Sequence, residues 1–249
     1  MVAEAARARG LAPVVVPLIT DAPPADPAAL DAALARLTDP AGRRDAPPAD
    51  RTRPDGAGPG APWLAVTSAT AVRVVAGRMP RLPAGVRVAC VGGATARAAR
   101  AAGWSVDLVP DEESAAGLAA ALPADAPHVL FPRSEIASPT FVDALRARGI
   151  PVSEVVAYRT VGTGDEPVVL TPPPDAVLVT SGSVAQQVVR RMTPLDPRTH
   201  VACIGPSTAE AARAAGLPVH VVARERSAEA LLDAVVETLH PNPRTGRSS

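Results

Sequence analysis

Two stretches of the chain, residues 66–118 and 179–231, are versions of the same sequence. The first contains VACVGGATARAARAAG at 88–103, and the second contains VACIGPSTAEAARAAG at 201–216. The separation is a constant 113 residues, and about half of the paired positions are identical without a gap. A repeat of this length indicates a duplicated domain, because solenoid units are only about 20–50 residues long. The sequence therefore predicts two similar domains with a cleft between them.

The composition excludes several classes of protein. The formal net charge is zero, so the chain lacks the basic footprint of a nucleic-acid-binding domain. No apolar run reaches membrane-spanning length, and residues 1–10 lack the apolar core of a signal peptide. Cys90 and Cys203 occupy equivalent positions in apolar runs, which favours two buried thiols over a disulfide or a metal pair. We therefore expect a cytoplasmic protein without a membrane or nucleic-acid partner.

Apolar runs alternate with helical segments along most of the chain, which predicts parallel βαβ units. Helices are predicted at 2–9 and 27–37, the second with Asp26 as its N-cap, and further helices begin at Ser114 and at Ser138 with Pro139. The predicted strands, which are short and rich in β-branched residues, are 13–20, 63–67, 86–91, 106–109, 128–132, 152–160, 176–180, 201–204 and 219–222.

The second copy needs another strand to complete its sheet, and only 13–20 remains to supply it. We therefore predict an α/β fold of two similar, flavodoxin-like parallel-sheet domains. Domain 1 is discontinuous, and a two-stranded linker joins it to domain 2. The predicted bounds are 1–20 with 165–249 for domain 1, 24–160 for domain 2, about 21–23 and 161–164 for the linkers, and about 40–62 for a disordered insertion rich in Pro and Gly.

The helix at 2–9 has no strand before it, whereas the matching helix that ends at Gly149 follows the strand at 128–132. We therefore expect that the natural start of the protein lies upstream of Met1. The short tail at 244–249 is polar and adds no further module.

Hydroxyl groups and glycines follow the predicted strands. Ligands of parallel α/β sheets bind beyond the carboxyl ends of the strands, where helix N-termini favour anions. An N-cap role explains any single one of these hydroxyls equally well, and Ser207 with Glu210 fits a capping box. The candidate ligand-binding residues are Thr67, Ser68, Thr95, Arg133, Ser134, Thr180, Ser181, Gly182, Gly205, Ser207 and Thr208.

Tyr158 is the single tyrosine of the chain and lies where the second domain meets the linker. It is interpreted either as a packing residue or as a hydrogen-bond donor, because a phenol with an ordinary pKa near 10 is protonated at pH 7. Residues 111–113 (DEE) read as a solvated loop. No P-loop, GxSxG or GxGxxG motif is present. The four histidines lack metal-ligand spacing and suit strand edges or the surface: His128, His200, His220 and His240.

At these residues the chain resembles the uroporphyrinogen-III synthase family. The matching pieces follow the family order over nearly the whole chain: VVVPLIT at 14–20, WLAVTSATAV at 63–72, VACVGGATARAARAAG at 88–103, VLFPRSEIAS at 129–138, VVAYRTV at 155–161, VLVTSGSVAQQV at 177–188 and IGPSTAEAARAAGL at 204–217. The chain departs from the family in lacking a first strand that ends in Thr-Arg, and in its longer insertion.

The resemblance implies a monomeric enzyme that binds hydroxymethylbilane, a linear tetrapyrrole, and requires no metal or organic cofactor. It implies loss of the terminal hydroxyl as water and closure with inversion of the last pyrrole ring. The side chains of Thr67, Ser68, Thr95, Ser181 and Thr208 would then hydrogen-bond substrate carboxylates, and Tyr158 would face the departing hydroxyl. The alternative is a non-catalytic sensor of an anionic metabolite. A secreted, hinge-closing sugar or amino-acid receptor is disfavoured because the sequence shows no secretion signal.

Overall fold

A computed structural model describes residues 2–38 and 60–240 of the 249-residue chain. Almost all of the predicted insertion at 40–62 lies outside the described residues, as does the predicted polar tail at 244–249. The chain forms two compact units. We call residues 21–160 the continuous unit, and residues 1–20 with 161–249 the split unit.

The continuous unit contains a mixed α/β structure. Its strands are β1 (Ile19–Ala22), β2 (Trp63–Val66), β3 (Arg87–Cys90), β4 (Val129–Ser134) and β5 (Val152–Gly162), and its helices are α2 (Pro27–Thr38), α3 (Ala69–Arg78), α4 (Gly93–Ala101), α5 (Ala115–Ala121) and α6 (Thr140–Ala147). The sheet order is β1-β5-β4-β2-β3. The pairs β2–β3, β2–β4 and β4–β5 are parallel. The boundary between the units falls inside β1 and β5.

Both faces of β2 are buried, which explains its uninterrupted apolar sequence. Leu64 and Val66 belong to one apolar cluster, whereas Trp63 and Ala65 belong to another. Because side chains alternate across a strand, each cluster lies on one face of the sheet. Polar side chains are consequently displaced to the ends of the strand.

The split unit is also α/β. Its elements are α1 (Val2–Arg7), β6 (Ala176–Val179), α7 (Gly182–Met192), β7 (His200–Cys203), α8 (Pro206–Ala214), β8 (Val221–Val222) and α9 (Ala228–Leu239). The strands form a parallel sheet in the order β6-β7-β8. On β7, Val201 and Cys203 join one apolar cluster and Ala202 joins another. The predicted α/β class with parallel sheets is confirmed.

The two units repeat the same strand register. In the continuous unit Trp63 pairs with Arg87, and in the split unit Ala176 pairs with His200. Each member of the second pair lies 113 residues after its counterpart in the first. The helices that follow, α3 and α7, also start 113 residues apart.

The predicted N-caps Asp26 and Ser114 are confirmed. The Asp26 carboxylate accepts a hydrogen bond from the Ala29 amide at 3.1 Å, and the Ser114 hydroxyl accepts one from the Gly117 amide at 2.9 Å. The predicted helix end at Gly149 is also found, with a φ of 71°, and Gly103 after α4 has a φ of 84°. These left-handed backbones suit glycine because it lacks a Cβ.

The predicted buried strand at 13–20 is wrong. Only its last two residues are in a strand, and that strand belongs to the five-stranded sheet. Val14 and Val15 are 68% and 74% exposed. Pro13 and Pro17 lack the N–H group that a ladder requires, so the segment cannot pair regularly. Among the described residues, the sheet of the split unit therefore receives no strand from it.

Two helix starts also differ from the prediction. Helix α8 begins at Pro206 with Gly205 as its N-cap, so Ser207 lies inside the helix and the predicted capping box is wrong. Proline is favoured at the first helical position, where its fixed φ suits the helix. Helix α6 has Pro139 as its N-cap, one residue after the predicted Ser138. The predicted strand at 106–109 is reduced to a single bridge, from Leu108 to Ala89.

Cys90 and Cys203 are buried free thiols, as predicted. They occupy the last positions of β3 and β7. Burial raises the pKa of the Cys90 thiol to about 11 and also raises that of Cys203. Both therefore remain neutral at physiological pH and serve as small apolar core residues.

Two helical glycines should respond oppositely to alanine. A Cβ at Gly117 would overlap the main-chain oxygen of Glu112, whereas one at Gly77 meets nothing within 4 Å. Gly117→Ala should therefore lower the free energy of unfolding by about 1–3 kcal/mol through overpacking. Gly77→Ala should raise it by up to about 1 kcal/mol through helix propensity. Urea denaturation measures both, and equal effects would contradict the packing of α5.

His128 should make the stability of the continuous unit pH-dependent. Burial, and secondly the charge of Arg36, lower the pKa of His128 below its ordinary value. Between that lowered pKa and about pH 6.5 the unfolded chain binds a proton that the folded chain does not. Stability should therefore fall as the pH falls below about 6.5. His128→Gln should flatten this fall in urea unfolding, whereas a change at the exposed control residue His240 should not.

Candidate functional site

The strand order of the continuous unit defines a switch point. From β2 the chain proceeds to β3 on one side and later to β4 on the other side. Ligands of open parallel sheets bind at such a reversal, beyond the carboxyl ends of the strands. Thr67 and Ser68 directly follow β2, and Arg133 and Ser134 end β4. The sequence-predicted hydroxyls of this unit therefore lie at the expected edge.

Tyr158 and Ser68 are brought together at this edge. Tyr158 lies on β5, where it is 9% exposed. Its phenol oxygen lies 3.0 Å from the hydroxyl oxygen of Ser68, and either group can donate. Ser68 also caps α3, because its hydroxyl oxygen accepts a hydrogen bond from the Ala71 amide at 3.0 Å. A phenol is thus linked through one hydroxyl to the N-terminus of a helix.

Ser134 supplies a second hydroxyl beside the tyrosine. It pairs with Tyr158 in the β4–β5 register, just after an irregularity at Arg133. The main chain continues this contact, since the Glu135 amide donates to the Tyr158 carbonyl at 3.0 Å. Within the described residues the buried Ser134 hydroxyl has no hydrogen-bond partner. An unpaired buried hydroxyl is uncommon in folded proteins.

The Arg133 side chain is already engaged within the protein. Its Nε donates to the Glu154 carboxylate at 2.7 Å. One terminal nitrogen donates to the main-chain oxygens of Ser134 and Glu135, at 2.9 and 3.1 Å. These bonds hold the chain where β4 ends. The arginine therefore shapes the edge of the sheet, and binding a ligand anion would require exchanging some of these bonds.

An acidic side chain lies at the start of α4. The Glu113 carboxylate accepts a hydrogen bond from the Gly93 amide at 2.8 Å, and it fills the space where a Cβ of Gly92 would lie. Negative charge is stabilising at a helix N-terminus. Thr95, in the same turn, is only 5% exposed. The predicted anion position at 92–95 is therefore taken by the protein's own carboxylate.

Sequence reasoning missed Glu113, because residues 111–113 read as a solvated loop. A signal was available in the repeat: the residue 113 positions later is Arg226, of opposite charge. The adjacent glycines of the first copy, Gly92 and Gly93, provide the room that the carboxylate occupies.

In the split unit, Ser181 and Gly182 open α7. The Ser181 hydroxyl caps the helix, accepting from the Val184 amide at 3.2 Å. A Cβ at Gly182 would lie 3.2 Å from the Ala211 methyl, so this glycine permits close packing of α7 on α8. Thr180 is exposed between β6 and this cap. Of these three residues, Thr180 is the most accessible to a ligand.

The start of α8 is open, unlike that of α4. A Cβ at Gly205 would meet nothing within 4 Å. Ser207 is exposed, whereas Thr208 is 4% exposed. The amides and the Ser207 hydroxyl at this turn can therefore be approached by an anionic ligand, while Thr208 packs inward.

The described residues show neither of two other kinds of site. Within 2–38 and 60–240, His, Cys, Asp and Glu form no group of three or more that could hold a metal ion. Over the same ranges, no helix combines the length and the apolar character needed to cross a membrane. The chemistry that the described edges offer is hydrogen bonding by a phenol, by hydroxyls and by amides.

Sequence comparison points to one enzyme family. The family model described as Uroporphyrinogen-III synthase HemD matches residues 1–233. No curated protein sequence matches the chain.

Two solved structures share the fold. A mutant uroporphyrinogen III synthase from the extremely thermophilic bacterium Thermus thermophilus aligns with 97% of this chain and 94% of its own, with a TM-score of 0.55 and 17% identity. The uroporphyrinogen-III synthetase from Helicobacter pylori 26695 aligns with 90% of this chain and 92% of its own, with a TM-score of 0.59 and 16% identity. At these identities the likeness establishes a common fold.

Glu113→Ala should weaken the continuous unit slightly. The loss of a carboxylate from the exposed start of α4 should lower the free energy of unfolding by about 0.3–1 kcal/mol, and less at high salt. Urea denaturation at two salt concentrations measures this change. Asp111→Ala is the matched control, because Asp111 is exposed in the same loop and its side chain has no hydrogen bond to the described residues. An equal effect of both changes would contradict the contact at α4.

Proposed function

This chain belongs to the uroporphyrinogen-III synthase family, and we propose that Tyr158 is the proton donor of its reaction. The enzyme cyclises hydroxymethylbilane, with inversion of the last pyrrole ring and loss of water, to uroporphyrinogen III. The observation that carries the proposal is the phenol of Tyr158, which is held at 3.0 Å from Ser68 at the switch point of a parallel sheet.

Proton donation by a phenol matches the bond that must break. The terminal hydroxyl of the substrate leaves as water once it accepts a proton, and the electron pair of the C–O bond leaves with it. The pyrrole nitrogen stabilises the resulting cation, so the substrate supplies its own electrophile. Closure with inversion then needs two carbon–carbon bonds to form and one to break. The methylene cation is attacked by the substituted α-carbon of the last pyrrole ring, and the bond from that carbon to its original methylene bridge breaks. The freed methylene cation bonds to the unsubstituted α-carbon of the same ring, and the proton lost from that carbon restores the phenol. A phenol that donates its proton to the leaving oxygen acts as a general acid.

The carboxylates of the substrate also need hydrogen-bond donors in the protein. We propose that they are bound by hydroxyls and amides at the strand ends of each unit. Thr67 and Ser134 would serve in the continuous unit, and Thr180, Gly205 and Ser207 in the split unit. Their support is that they lie at or just after the carboxyl ends of strands. Thr67, Thr180 and Ser207 are at least partly exposed, and a Cβ at Gly205 would meet nothing within 4 Å. Preorganised donors of this kind also favour one substrate conformer.

We also infer that the two units descend from one duplicated domain. The repeated register and the repeated helix starts support this inference. Each copy also ends its matching strand in a buried cysteine. The sensor alternative has no observation of its own in its favour. We further propose that the enzyme acts as a monomer in the cytoplasm, which gel filtration and cell fractionation test.

Tyr158→Phe should slow formation of uroporphyrinogen III about ten- to a hundredfold without abolishing it. The change removes one hydroxyl and keeps the ring, and a hydrogen bond to a charged group contributes about 1.5–3 kcal/mol. The measurement is the rate of the type III isomer from hydroxymethylbilane, with the spontaneous type I product as background. Ser181→Ala should have a milder effect, because the amides of α7 remain.

Two outcomes would contradict the proposal. If the wild-type protein is folded yet releases only the type I isomer, the synthase function fails. If the wild-type protein is active and Tyr158→Phe retains its full rate, the function stands and the role of Tyr158 fails. An unchanged urea midpoint for the variant separates a chemical effect from unfolding.

A further inference from the structure

The hydroxyl of Ser68 has a nearly complete set of hydrogen bonds. A serine hydroxyl has one proton to donate and two lone pairs that accept. One lone pair accepts from the Ala71 amide at 3.0 Å, and the contact with the Tyr158 phenol at 3.0 Å uses either the proton or the other lone pair. If Ser68 donates to the phenol, its one proton is used and none is left for a substrate carboxylate. Ser68 is therefore better placed to act on the tyrosine than on the substrate.

We propose that Ser68 is a positioning residue that donates its proton to the phenol oxygen of Tyr158 and thereby directs the phenol proton to the leaving hydroxyl. This inference rests on the proposed function. When Ser68 donates, the proton of Tyr158 is not consumed within the protein. When Tyr158 donates instead, its proton is directed at Ser68 and away from the substrate. Only the first arrangement supports acid catalysis.

The N-terminus of α3 favours donation from Ser68 to Tyr158 as the reaction proceeds. The phenol oxygen becomes negative when its proton is transferred. Ser68 then donates to a charged acceptor, and hydrogen bonds of this kind are stronger than neutral ones. The Ala71 amide, at the positive end of α3, polarises the same hydroxyl. The arrangement therefore stabilises the phenolate more than the phenol, which is what lowers a barrier.

The duplicate copy separates this role from helix capping. Ser181 lies 113 residues after Ser68 and caps α7 in the same way. Neither copy contains a tyrosine, because the single tyrosine, Tyr158, lies between them, and it contacts the serine of the first copy. The capping bond is thus common to both copies, whereas the bond to a phenol occurs in one. Ser227, which caps α9 by accepting from the Ala230 amide at 3.1 Å, lies outside the candidate site.

The test compares Ser68→Ala, Ser68→Thr and the matched cap variant Ser227→Ala. Ser68→Ala should lower kcat about tenfold with little change in KM, since it removes one hydrogen bond from the donor. Ser68→Thr keeps the hydroxyl and should restore most of the rate. Ser227→Ala loses an equivalent capping bond and should leave kcat within about twofold. In a Tyr158→Phe background, Ser68→Ala should have no further effect on kcat, because the two residues act as a unit.

A measurement without substrate keeps this inference separate from the synthase function. Ultraviolet resonance Raman spectroscopy reports the hydrogen-bonding state of tyrosine, and this chain has one tyrosine. Ser68→Ala should change that signal, and Ser227→Ala should not. An unchanged signal overturns the Ser68–Tyr158 bond, whatever the activity.

Three kinetic results would overturn the positioning role. The first is an effect of Ser68→Ala on KM alone, which would place Ser68 against the substrate. The second is a loss equal to that of Ser227→Ala, which would make Ser68 a cap only. The third is an additive loss in the Tyr158→Phe background. If the wild-type protein forms no type III isomer while the Raman signal changes as expected, the proposed function fails and the contact stands.

Discussion

A parallel sheet that is buried on both faces leaves polar side chains only at the ends of its strands, and this constraint shapes each unit. On β2 every side chain is at most 3% exposed, and alternate residues enter two apolar clusters. On β7, Val201 and Cys203 face one cluster and Ala202 faces another. The first polar groups after these strands are therefore the hydroxyls, glycines and amides at the helix starts, where anions are also best bound. Packing therefore places polar groups at the edge where ligands of parallel sheets bind.

The two copies keep their backbone and exchange their side chains. The Val88 amide donates to the Asp107 carboxylate at 2.8 Å, and the equivalent Val201 amide donates to Nδ1 of His220 at 2.9 Å. A buried main-chain amide needs a hydrogen-bond acceptor, but either a carboxylate oxygen or an imidazole nitrogen can serve. The same freedom explains why Glu113 in one copy corresponds to Arg226 in the other. The two repeated stretches therefore share these main-chain positions but differ in their charged side chains.

The repeat made much of the fold predictable. It located the parallel strands and the helices that follow them, because a pattern present twice is less easily mistaken for chance. Local chemistry also predicted the caps at Asp26 and Ser114. Two of the failures arose at prolines: Pro13 and Pro17 interrupt an apolar run that reads as a strand, and Pro206 begins a helix one residue before Ser207. A prediction from apolar periodicity does not consider that proline lacks an N–H group. It therefore predicts strands in segments where prolines prevent regular pairing.

The candidate site was predictable only in part. Tyr158 and Ser68 could be named from the sequence, but their contact joins residues 90 positions apart, on β5 and after β2. The sequence alone does not show that two residues so far apart along the chain lie in contact. Arg133 was predicted to bind the ligand, because its ion-pair partner Glu154 lies on a neighbouring strand, 21 positions away in sequence. Glu113 reads as a solvent-facing acid until the room provided by Gly92 is known.

The split path of the chain determines the order in which its parts can be completed during translation. Helix α1 contacts α9, and Arg9 pairs with Asp233 at 2.6 Å across 224 positions, so α1 cannot pack on α9 until α9 has been made. The continuous unit is complete long before then, and its Arg159 side chain already donates to the Pro23 carbonyl at 3.0 Å. That contact shortens the loop that the remaining chain must close. A mutation that loosens the continuous unit should therefore delay assembly of the split unit, even though no residue of the split unit has changed.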